Sequence, residues 1–193
     1  MCSELPRKKD SQPVDNSEGV TKANLAMSNM SSTPEVLLKT LMVTVCVGDN
    51  SRQARVLVDD GSQRSYILKI LAEEMNLTET GNEAMVHALF GGVKSRPVNH
   101  IRYEVPVGKL DGTYQCTLKM LDQHTISTAI PKVPRGPWLG ELKQRKIWLS
   151  DVGSDCPEVE ILIGVDIVGS LMTGQIRRLK SGLVAVETRL GWT

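Results

Sequence analysis

The sequence predicts a mainly β domain, a closed or nearly closed barrel of short strands with one or two short helices. Short apolar runs rich in Val, Ile, Leu and Thr recur along the chain, and turns containing Gly, Asp, Asn or Pro separate them. Such an alternation of short strands and turns is typical of closed β architectures. Aromatic residues make up 4% of the 193 residues, so the core must rest on aliphatic side chains.

The first residues differ from the rest of the chain. Residues 1–35 are polar and rich in Ser, Asn, Lys and Asp, and we expect a disordered leader ahead of one domain at residues 36–193. The leader lacks the apolar core of a signal peptide, and no apolar run is long enough to span a bilayer. A formal net charge of +1 provides no basic field for nucleic acid. We therefore expect an intracellular, cytoplasmic protein without a membrane or nucleic-acid partner.

Four cysteines and three histidines are spread along the chain without the spacing of a common metal site. We therefore expect reduced thiols, no metal ion and no cofactor. These residues are Cys2, Cys46, Cys116, Cys156, His87, His100 and His124.

Two strands are predicted at the start of the domain. Residues 37–47 are apolar and rich in Val and Thr, and a Gly-Asp-Asn turn follows them. In the next segment Ala54, Val56 and Val58 share one face, and the alternating residues up to Asp59 share the other. This alternation indicates a second strand that pairs with the first as a hairpin.

A short helix and three more strands are predicted for the middle of the chain. Ile67, Leu71 and Met75 fall four residues apart, which predicts an amphipathic helix within residues 67–77. Strand texture resumes at residues 83–90. Further strands are predicted at 98–107 and 113–121, with Asp111-Gly112 as the turn between them.

The last third of the domain begins with a loop that is punctuated by three prolines. Pro137 suits the first position of a helix, so a helix is predicted from Trp138 to Leu149. Residues 158–172 form the next apolar core segment. Residues 182–192 alternate between apolar and polar side chains, which predicts a half-exposed strand.

The strongest candidate for a functional site is the segment Val-Leu-Val-Asp-Asp-Gly-Ser-Gln at residues 56–63. The carboxyl group of Asp59 ends an apolar strand that holds it in a fixed direction. Gly61 lets the chain turn sharply and bring backbone N–H groups near that carboxylate. Asp and Gly are also common turn residues, so this pattern alone leaves an ordinary turn open.

Two blocks of the sequence resemble a known family. Residues 56–67 (VLVDDGSQRSYI) resemble the active-site strand of retropepsins, and more closely that of the aspartic peptidase domain of BEL/Pao-type retrotransposon polyproteins. Residues 159–192 resemble the distal end of that domain, with an Ile-Gly-x-Asp motif and a closing Gly-Leu-x-Ala-x-x-Thr-x-Leu-Gly-Trp stretch. The resemblance covers residues 36–193 and implies a retropepsin-like fold.

This resemblance implies a hydrolase, an aspartic endopeptidase in which two Asp side chains activate a water molecule between them. Asp59 takes the catalytic position. No second Asp-Ser/Thr-Gly segment follows in the chain, so a homodimer would supply the second carboxyl group. Proteolysis would act on a polypeptide, the retrotransposon polyprotein itself. We expect the chain to be a fragment or a stand-alone remnant of such a polyprotein.

Asp60 departs from the family pattern, which has Ser or Thr at this position. In the family the hydroxyl group donates a hydrogen bond across the dimer axis, and an ionised carboxylate cannot donate. Three outcomes stay open: Asp60 is protonated and donates like a hydroxyl group, it turns outward, or it cripples the enzyme. We hypothesise that it weakens the dimer and shifts activity toward acid pH. The residues expected to support the active-site loop are Asp60, Gly61, Ser62 and Gln63.

Two further segments have candidate roles. A Gly-rich stretch is a candidate flap that closes over substrate, with an ordinary hairpin turn as the alternative. It consists of Phe90, Gly91, Gly92 and Val93. By resemblance, Gly164 and Asp166 form a structural Gly-x-Asp motif, in which the Asp166 carboxylate would cap a helix N-terminus.

Other functions remain open at the level of sequence. Asp60 favours a catalytically inactive, protease-like module for dimerisation or binding. A weaker hypothesis is an acidic metal site at Asp59 and Asp60. The cluster Arg177-Arg178-Leu179-Lys180 is interpreted as a solvated strand end, with nucleic-acid contact as the alternative.

Overall fold

The computed structural model describes residues 37–87, 94–127, 130–153, 155 and 157–193. Within these residues the chain forms ten strands and three helices. The strands are β1 (Thr40–Val47), β2 (Asn50–Val58), β3 (Tyr66–Leu68), β4 (Thr78–Met85), β5 (Val98–Gly108), β6 (Gln115–Gln123), β7 (Val159–Ile163), β8 (Met172–Arg178), β9 (Val184–Thr188) and β10 (Gly191–Trp192). The helices are α1 (Lys69–Glu74), α2 (Trp138–Gln144) and α3 (Val165–Leu171). The predicted disordered leader lies outside the described residues.

The main sheet closes into a six-stranded β-barrel, which confirms the predicted mainly β, closed architecture. Its strands follow the order β1-β2-β7-β3-β6-β5, and β5 pairs with β1 to close the ring. Strand β4 lies outside the ring and pairs with β5 alone. A separate small sheet has the order β10-β9-β8. Most pairs are antiparallel, but β7 runs parallel to β2 and β3 runs parallel to β6.

Both predicted hairpins of the barrel are confirmed. Strands β1 and β2 pair in continuous antiparallel register from Thr40↔Leu57 to Val47↔Asn50. Strands β5 and β6 pair in the same way, and Gly112 has a φ of 73° in the turn between them. That left-handed backbone conformation is one that glycine adopts without strain.

Strand β4 begins earlier than the sequence predicts. It covers Thr78–Met85, whereas the predicted strand covered residues 83–90. Its first residues are polar and exposed because the strand lies on the outside of the barrel, so apolar alternation does not reveal them. The position of β4 is determined instead by its pairing with β5, which extends from Thr78↔Glu104 to Met85↔Val98.

The helices are shorter than predicted, and there are three described helices instead of one or two. Residues Ile67 and Leu68 belong to β3, because this strand pairs with both β6 and β7. Helix α1 therefore begins at Lys69. Helix α2 ends at Gln144 instead of Leu149, and Lys146 just beyond it has a φ of 58°. None of the described helices is long and apolar enough to cross a membrane.

The buried hydrophobic side chains of the described residues form three clusters, one of which contains Leu57, Tyr66 and Leu162. The barrel interior contains the face of β2 that the alternation predicted, with Ala54, Val56 and Val58 buried. Ile67, Leu71 and Met75 also lie in this core, as their spacing predicted. Another cluster lies where α2 packs near the small sheet. It includes Val133, Trp138, Leu142, Ile147, Leu179 and Ala185.

A buried ion pair lies on the outer face of β2. Arg55 and Asp151 each have 0% of their side chains exposed, and Arg55 Nε donates to Asp151 Oδ2 at 3.2 Å. The Thr40 hydroxyl donates to the same carboxylate oxygen. Arg55 Nη2 also donates to the Pro131 carbonyl oxygen at 3.0 Å. The segment around residues 130–151 therefore covers a barrel face that would otherwise meet water.

Candidate active site

Asp59 lies immediately after β2, at the point where this strand leaves the barrel. Strand β2 runs beside β7, with Val58 opposite Ile163. The Asp59 N–H group donates to the Ile163 carbonyl oxygen at 2.9 Å, so the backbone pairing extends to this residue. The Asp59 side chain is half-buried. The predicted position of Asp59 at the end of an apolar strand is confirmed.

The loop after Asp59 turns back onto its carboxyl group. Gly61 N–H donates to Asp59 Oδ1 at 2.9 Å, and Ser62 N–H donates to the Asp59 carbonyl oxygen at 3.2 Å. A Cβ atom on Gly61 would lie 3.2 Å from Asp59 Oδ1, which leaves little room for a side chain. The close approach of a backbone amide to the carboxylate, which the sequence predicted, is confirmed.

Gly164 holds this loop against the end of β7. A Cβ atom at this position would lie 2.5 Å from the Arg64 carbonyl oxygen and 2.7 Å from the Ser62 carbonyl oxygen. Val165 N–H donates to that Ser62 oxygen at 2.8 Å. Two backbone segments therefore meet with no space for a side chain between them.

Asp166 does not have the predicted capping role. Helix α3 begins after Gly164, and no side chain caps it. The Asp166 carboxylate instead accepts hydrogen bonds from Ser65 Oγ at 2.7 Å and Ser65 N at 3.2 Å. Ser65 Oγ also accepts from Gly164 N–H at 2.9 Å. Asp166 thus fastens the end of the Asp59 loop to α3, and its charge in the first turn also suits the helix dipole.

Asp60 forms an ion pair with Lys39. Its side chain is 58% exposed, and its carboxylate contacts this lysine instead of the hydrogen-bonded loop around Asp59. Of the three outcomes considered for Asp60, this geometry corresponds to the outward orientation. Charge repulsion with Asp59 is reduced because the lysine ammonium group lies against Asp60.

The remaining predicted site residues fall into two groups. Ser62 Oγ donates to the Arg64 carbonyl oxygen at 2.8 Å and so supports the loop, while Gln63 is exposed. The predicted flap, residues 90–93, lies outside the described residues. His87 precedes this segment and Ser95 follows it, and the Ser95 N–H group donates to the His87 carbonyl oxygen at 2.8 Å.

A buried histidine pair, which the sequence did not reveal, lies beside this segment. His87 Nε2 and His100 Nε2 are 2.9 Å apart, and both side chains are buried. His100 Nδ1 lies 2.7 Å from the Asp122 carbonyl oxygen, so it must carry the hydrogen that is donated there. The two Nε2 atoms lie at hydrogen-bond distance from each other. The pairing of β4 with β5 brings the two histidines together. A correct prediction of this strand pairing from the sequence would have placed them side by side.

We expect this pair to make the protein less stable in mild acid. Burial, followed by the nearby His100, lowers the pKa of His87 below its ordinary value. The unfolded chain therefore binds the proton more readily, and stability falls as the pH drops from about 6.5 toward the lowered pKa. Urea unfolding of the wild type and of His87→Gln at a series of pH values measures this slope. The slope should flatten in His87→Gln but not in His124→Gln, which changes an exposed histidine; equal slopes in all three proteins would contradict the prediction.

The described residues contain no group of three or more His, Cys, Asp or Glu side chains that could hold a metal ion. The hypothesis of a metal site at Asp59 and Asp60 thus lacks a third ligand in this part of the chain. Cys46 and Cys116 are free thiols. Arg177 and Arg178 are exposed at the end of β8, as predicted for a solvated strand end, whereas Leu179 is buried.

No protein-family model matches the chain. No curated protein matches it either. The two sequence blocks and the geometry around Asp59 therefore carry the functional interpretation.

Proposed function

We propose that this protein is an aspartic endopeptidase of retrotransposon origin that cleaves polypeptides as a homodimer. The observation that supports this proposal is the fixed carboxyl group of Asp59. It ends a barrel strand, it is half-buried, and Gly61 N–H holds its Oδ1 atom at 2.9 Å. An Asp residue in an ordinary turn does not require a loop that is hydrogen-bonded to a distant strand and helix, as the Asp59 loop is.

The proposed chemistry uses Asp59 from each of two copies. Two carboxyl groups that face each other share one proton, because two neighbouring negative charges repel strongly where water is scarce. The ionised group takes a proton from a water molecule as its oxygen attacks the peptide carbonyl carbon. The protonated group donates a hydrogen bond to the carbonyl oxygen, where negative charge develops. Gly61 N–H keeps each carboxyl group in a constant orientation throughout.

Strand β8 supports the proposed dimer. It is an edge strand of the small sheet, and all its residues after Met172 are exposed. Ile176 on this strand is 53% exposed. An unpaired edge strand that exposes an apolar residue tends to associate with another strand. Helix α3 connects β8 directly to Gly164 and the Asp59 loop. We therefore propose that β8 pairs with its copy across the twofold axis.

We expect Ile176→Lys to weaken the dimer at least about tenfold, because paired strands would bring two new charges together. Sedimentation equilibrium over a range of protein concentrations measures the dissociation constant. Val98→Lys is the matched control, since Val98 is 42% exposed on the separate β4–β5 hairpin. If both variants dimerise like the wild type, β8 is not the interface.

We expect Asp59→Asn to reduce peptide cleavage by about 10³-fold or more, because asparagine can neither accept nor supply the transferred proton. The assay follows an unfolded protein substrate from acid to neutral pH, with and without pepstatin, an inhibitor of aspartic peptidases. Asp49→Asn changes an exposed Asp in the β1–β2 turn and should cleave normally. Cleavage that persists in Asp59→Asn would refute the assignment. A stable wild-type dimer without cleavage at any pH would instead support the inactive binding module.

A further inference from the structure

A cleft of about 470 Å³ lies between the end of the Asp59 loop, the strands β4, β5 and β6, and helix α3. Each of these five elements contributes one charged residue to its walls. These residues are Arg64, Glu83, Arg102, Lys119 and Asp166. The volume is large enough to take a side chain of a bound molecule.

Two arginines in the cleft share one carboxyl group. Arg64 Nη2 donates to Glu83 Oε1 at 2.5 Å, and Arg102 Nη2 donates to Glu83 Oε2 at 2.7 Å. Among the described residues, Glu83 is the acceptor for both guanidinium groups, and each group has five N–H donors. The two arginine side chains are 44% and 37% exposed. The donors that Glu83 leaves free are therefore accessible to a ligand.

Lys119 supplies a third cation. Its side chain is exposed, and none of the described carboxylates forms an ion pair with it. Glu104 lies opposite Lys119 in the β5–β6 register but does not line the cleft. The ammonium group can therefore add to the positive charge that a ligand meets there.

The charges in the cleft favour a ligand group with a single negative charge. The hydrogen bond from Arg102, together with the nearby charge of Arg64, lowers the pKa of Glu83, so this carboxylate is ionised at neutral pH. Three cationic side chains thus face two carboxylates, those of Glu83 and Asp166. One carboxylate from outside balances the remaining charge. A group with two negative charges would exceed it and would be repelled by Glu83 and Asp166.

The cleft lies close to the proposed catalytic residue. The Asp59 N–H group donates to the Ile163 carbonyl oxygen at 2.9 Å, and a Cβ atom on the next residue, Gly164, would lie 2.5 Å from the Arg64 carbonyl oxygen. The backbones of Asp59 and Arg64 are therefore within about 10 Å of each other. An extended peptide advances about 3.3 Å per residue, so a polypeptide held at Asp59 can reach the cleft with a nearby side chain.

We propose that this cleft binds an Asp or Glu side chain of the polypeptide substrate, about two to five residues from the scissile bond. The carboxylate accepts hydrogen bonds from the N–H groups of Arg64 and Arg102 that Glu83 leaves free. Lys119 adds its charge beside them. This inference rests on the proposed peptidase function, because it assumes that the substrate lies at Asp59. In the proposed homodimer each copy has one cleft, so acidic residues would be bound on both sides of the scissile bond.

The first test measures binding without cleavage, on the full chain with Asp59→Asn. The probes are four capped octapeptides of one neutral sequence, with Glu, Gln, Lys or phosphoserine at the same position, and ¹H–¹⁵N correlation spectra follow each titration. We expect the Glu peptide to bind saturably and at least about tenfold more tightly than the Gln and Lys peptides. Equal affinity for Glu and Gln, tighter binding of phosphoserine, or no saturable binding would overturn the proposal.

Variants in the same background test the contact itself, with circular dichroism to check the fold. Arg64→Gln should reduce the affinity for the Glu peptide to that for the Gln peptide. Glu83→Gln removes the carboxylate that competes for the same donors, so it should bind the Glu peptide about threefold more tightly or better. Arg145→Gln is the matched control, since Arg145 is 40% exposed and paired with Glu141 at 2.7 Å but does not line the cleft. Unchanged affinity in both Arg64→Gln and Glu83→Gln would overturn the proposal.

A second test separates this inference from the peptidase function. The wild type digests a library of natural peptides, and mass spectrometry locates the cleaved bonds. We expect Asp and Glu to be enriched about two to five residues from these bonds. Arg64→Gln should lose this enrichment, whereas Arg145→Gln should keep it. Selective binding of the Glu peptide without any cleavage would contradict the peptidase function but not the acidic-peptide site, and cleavage without enrichment would do the reverse.

Discussion

Replacing Gly164 with alanine is expected to lower the free energy of unfolding by about 3 kcal/mol and to abolish the proposed peptide cleavage. The new Cβ atom would lie 2.5 Å from the Arg64 carbonyl oxygen and 2.7 Å from that of Ser62. Both are backbone atoms, which cannot rotate away as the end of a flexible side chain can. Relief of the clash therefore requires the Asp59 loop to move away from β7. Urea unfolding measures the loss of stability.

Gly169→Ala provides a matched control for this substitution. Gly169 lies in the same helix, α3, and a Cβ atom there would meet nothing within 4 Å. Alanine is favoured over glycine inside a helix by about 0.5–1 kcal/mol, so this variant should be as stable as the wild type or slightly more stable. If Gly164→Ala proves as stable as Gly169→Ala, the described tight contact between the loop and β7 is contradicted.

The second large effect is expected at the buried ion pair. Asp151→Leu should lower the free energy of unfolding by about 3–5 kcal/mol, because it leaves the Arg55 guanidinium buried without its counter-charge. Arg55 and Asp151 both have 0% of their side chains exposed, so water cannot replace the lost partner. Urea unfolding at neutral pH measures the difference.

A double variant distinguishes the lost charge pairing from lost packing. Arg55→Met combined with Asp151→Leu removes both charges and keeps apolar bulk, so it should be less destabilised than the sum of the single variants by about 2 kcal/mol or more. Glu73→Gln is the surface control. It removes an exposed ion pair with Lys69 and should change stability by less than about 0.5 kcal/mol. Additive single effects would show that the two buried residues act independently.

The fold was predictable wherever local pattern and tertiary role agree. Alternation identified the β1–β2 hairpin, and turn residues identified the β5–β6 hairpin. The apolar residues of β3 also fit a helical spacing, so the sequence predicts a helix there. The strand forms because it pairs with β6 and β7, which come from distant segments. The burial of Arg55 was not predictable either, since Asp151 lies 96 residues further along the chain.

At the candidate site, too, local geometry was predictable and contacts between distant segments were not. Asp59 and Gly61 are neighbours in sequence, so their geometry could be inferred from a strand followed by a sharp turn. Asp166 was assigned to a helix cap because its partner, Ser65, lies 101 residues away and nothing local indicates it. The contact between His87 and His100 depends on hairpin register, which the sequence did not fix.

The placement of β7 has a consequence for the order of events during synthesis. This strand lies between β2 and β3, yet about a hundred residues separate it from both along the chain. In a nascent chain that has not yet emerged past residue 163, β2 can pair only with β1, and β3 can pair only with β6. Closure of the barrel must wait for the carboxyl-terminal part of the domain, as expected for folds that depend on distant pairing. We therefore expect truncated translation products to lack an ordered Asp59 loop, which would postpone the proposed peptidase activity until the whole domain has left the ribosome.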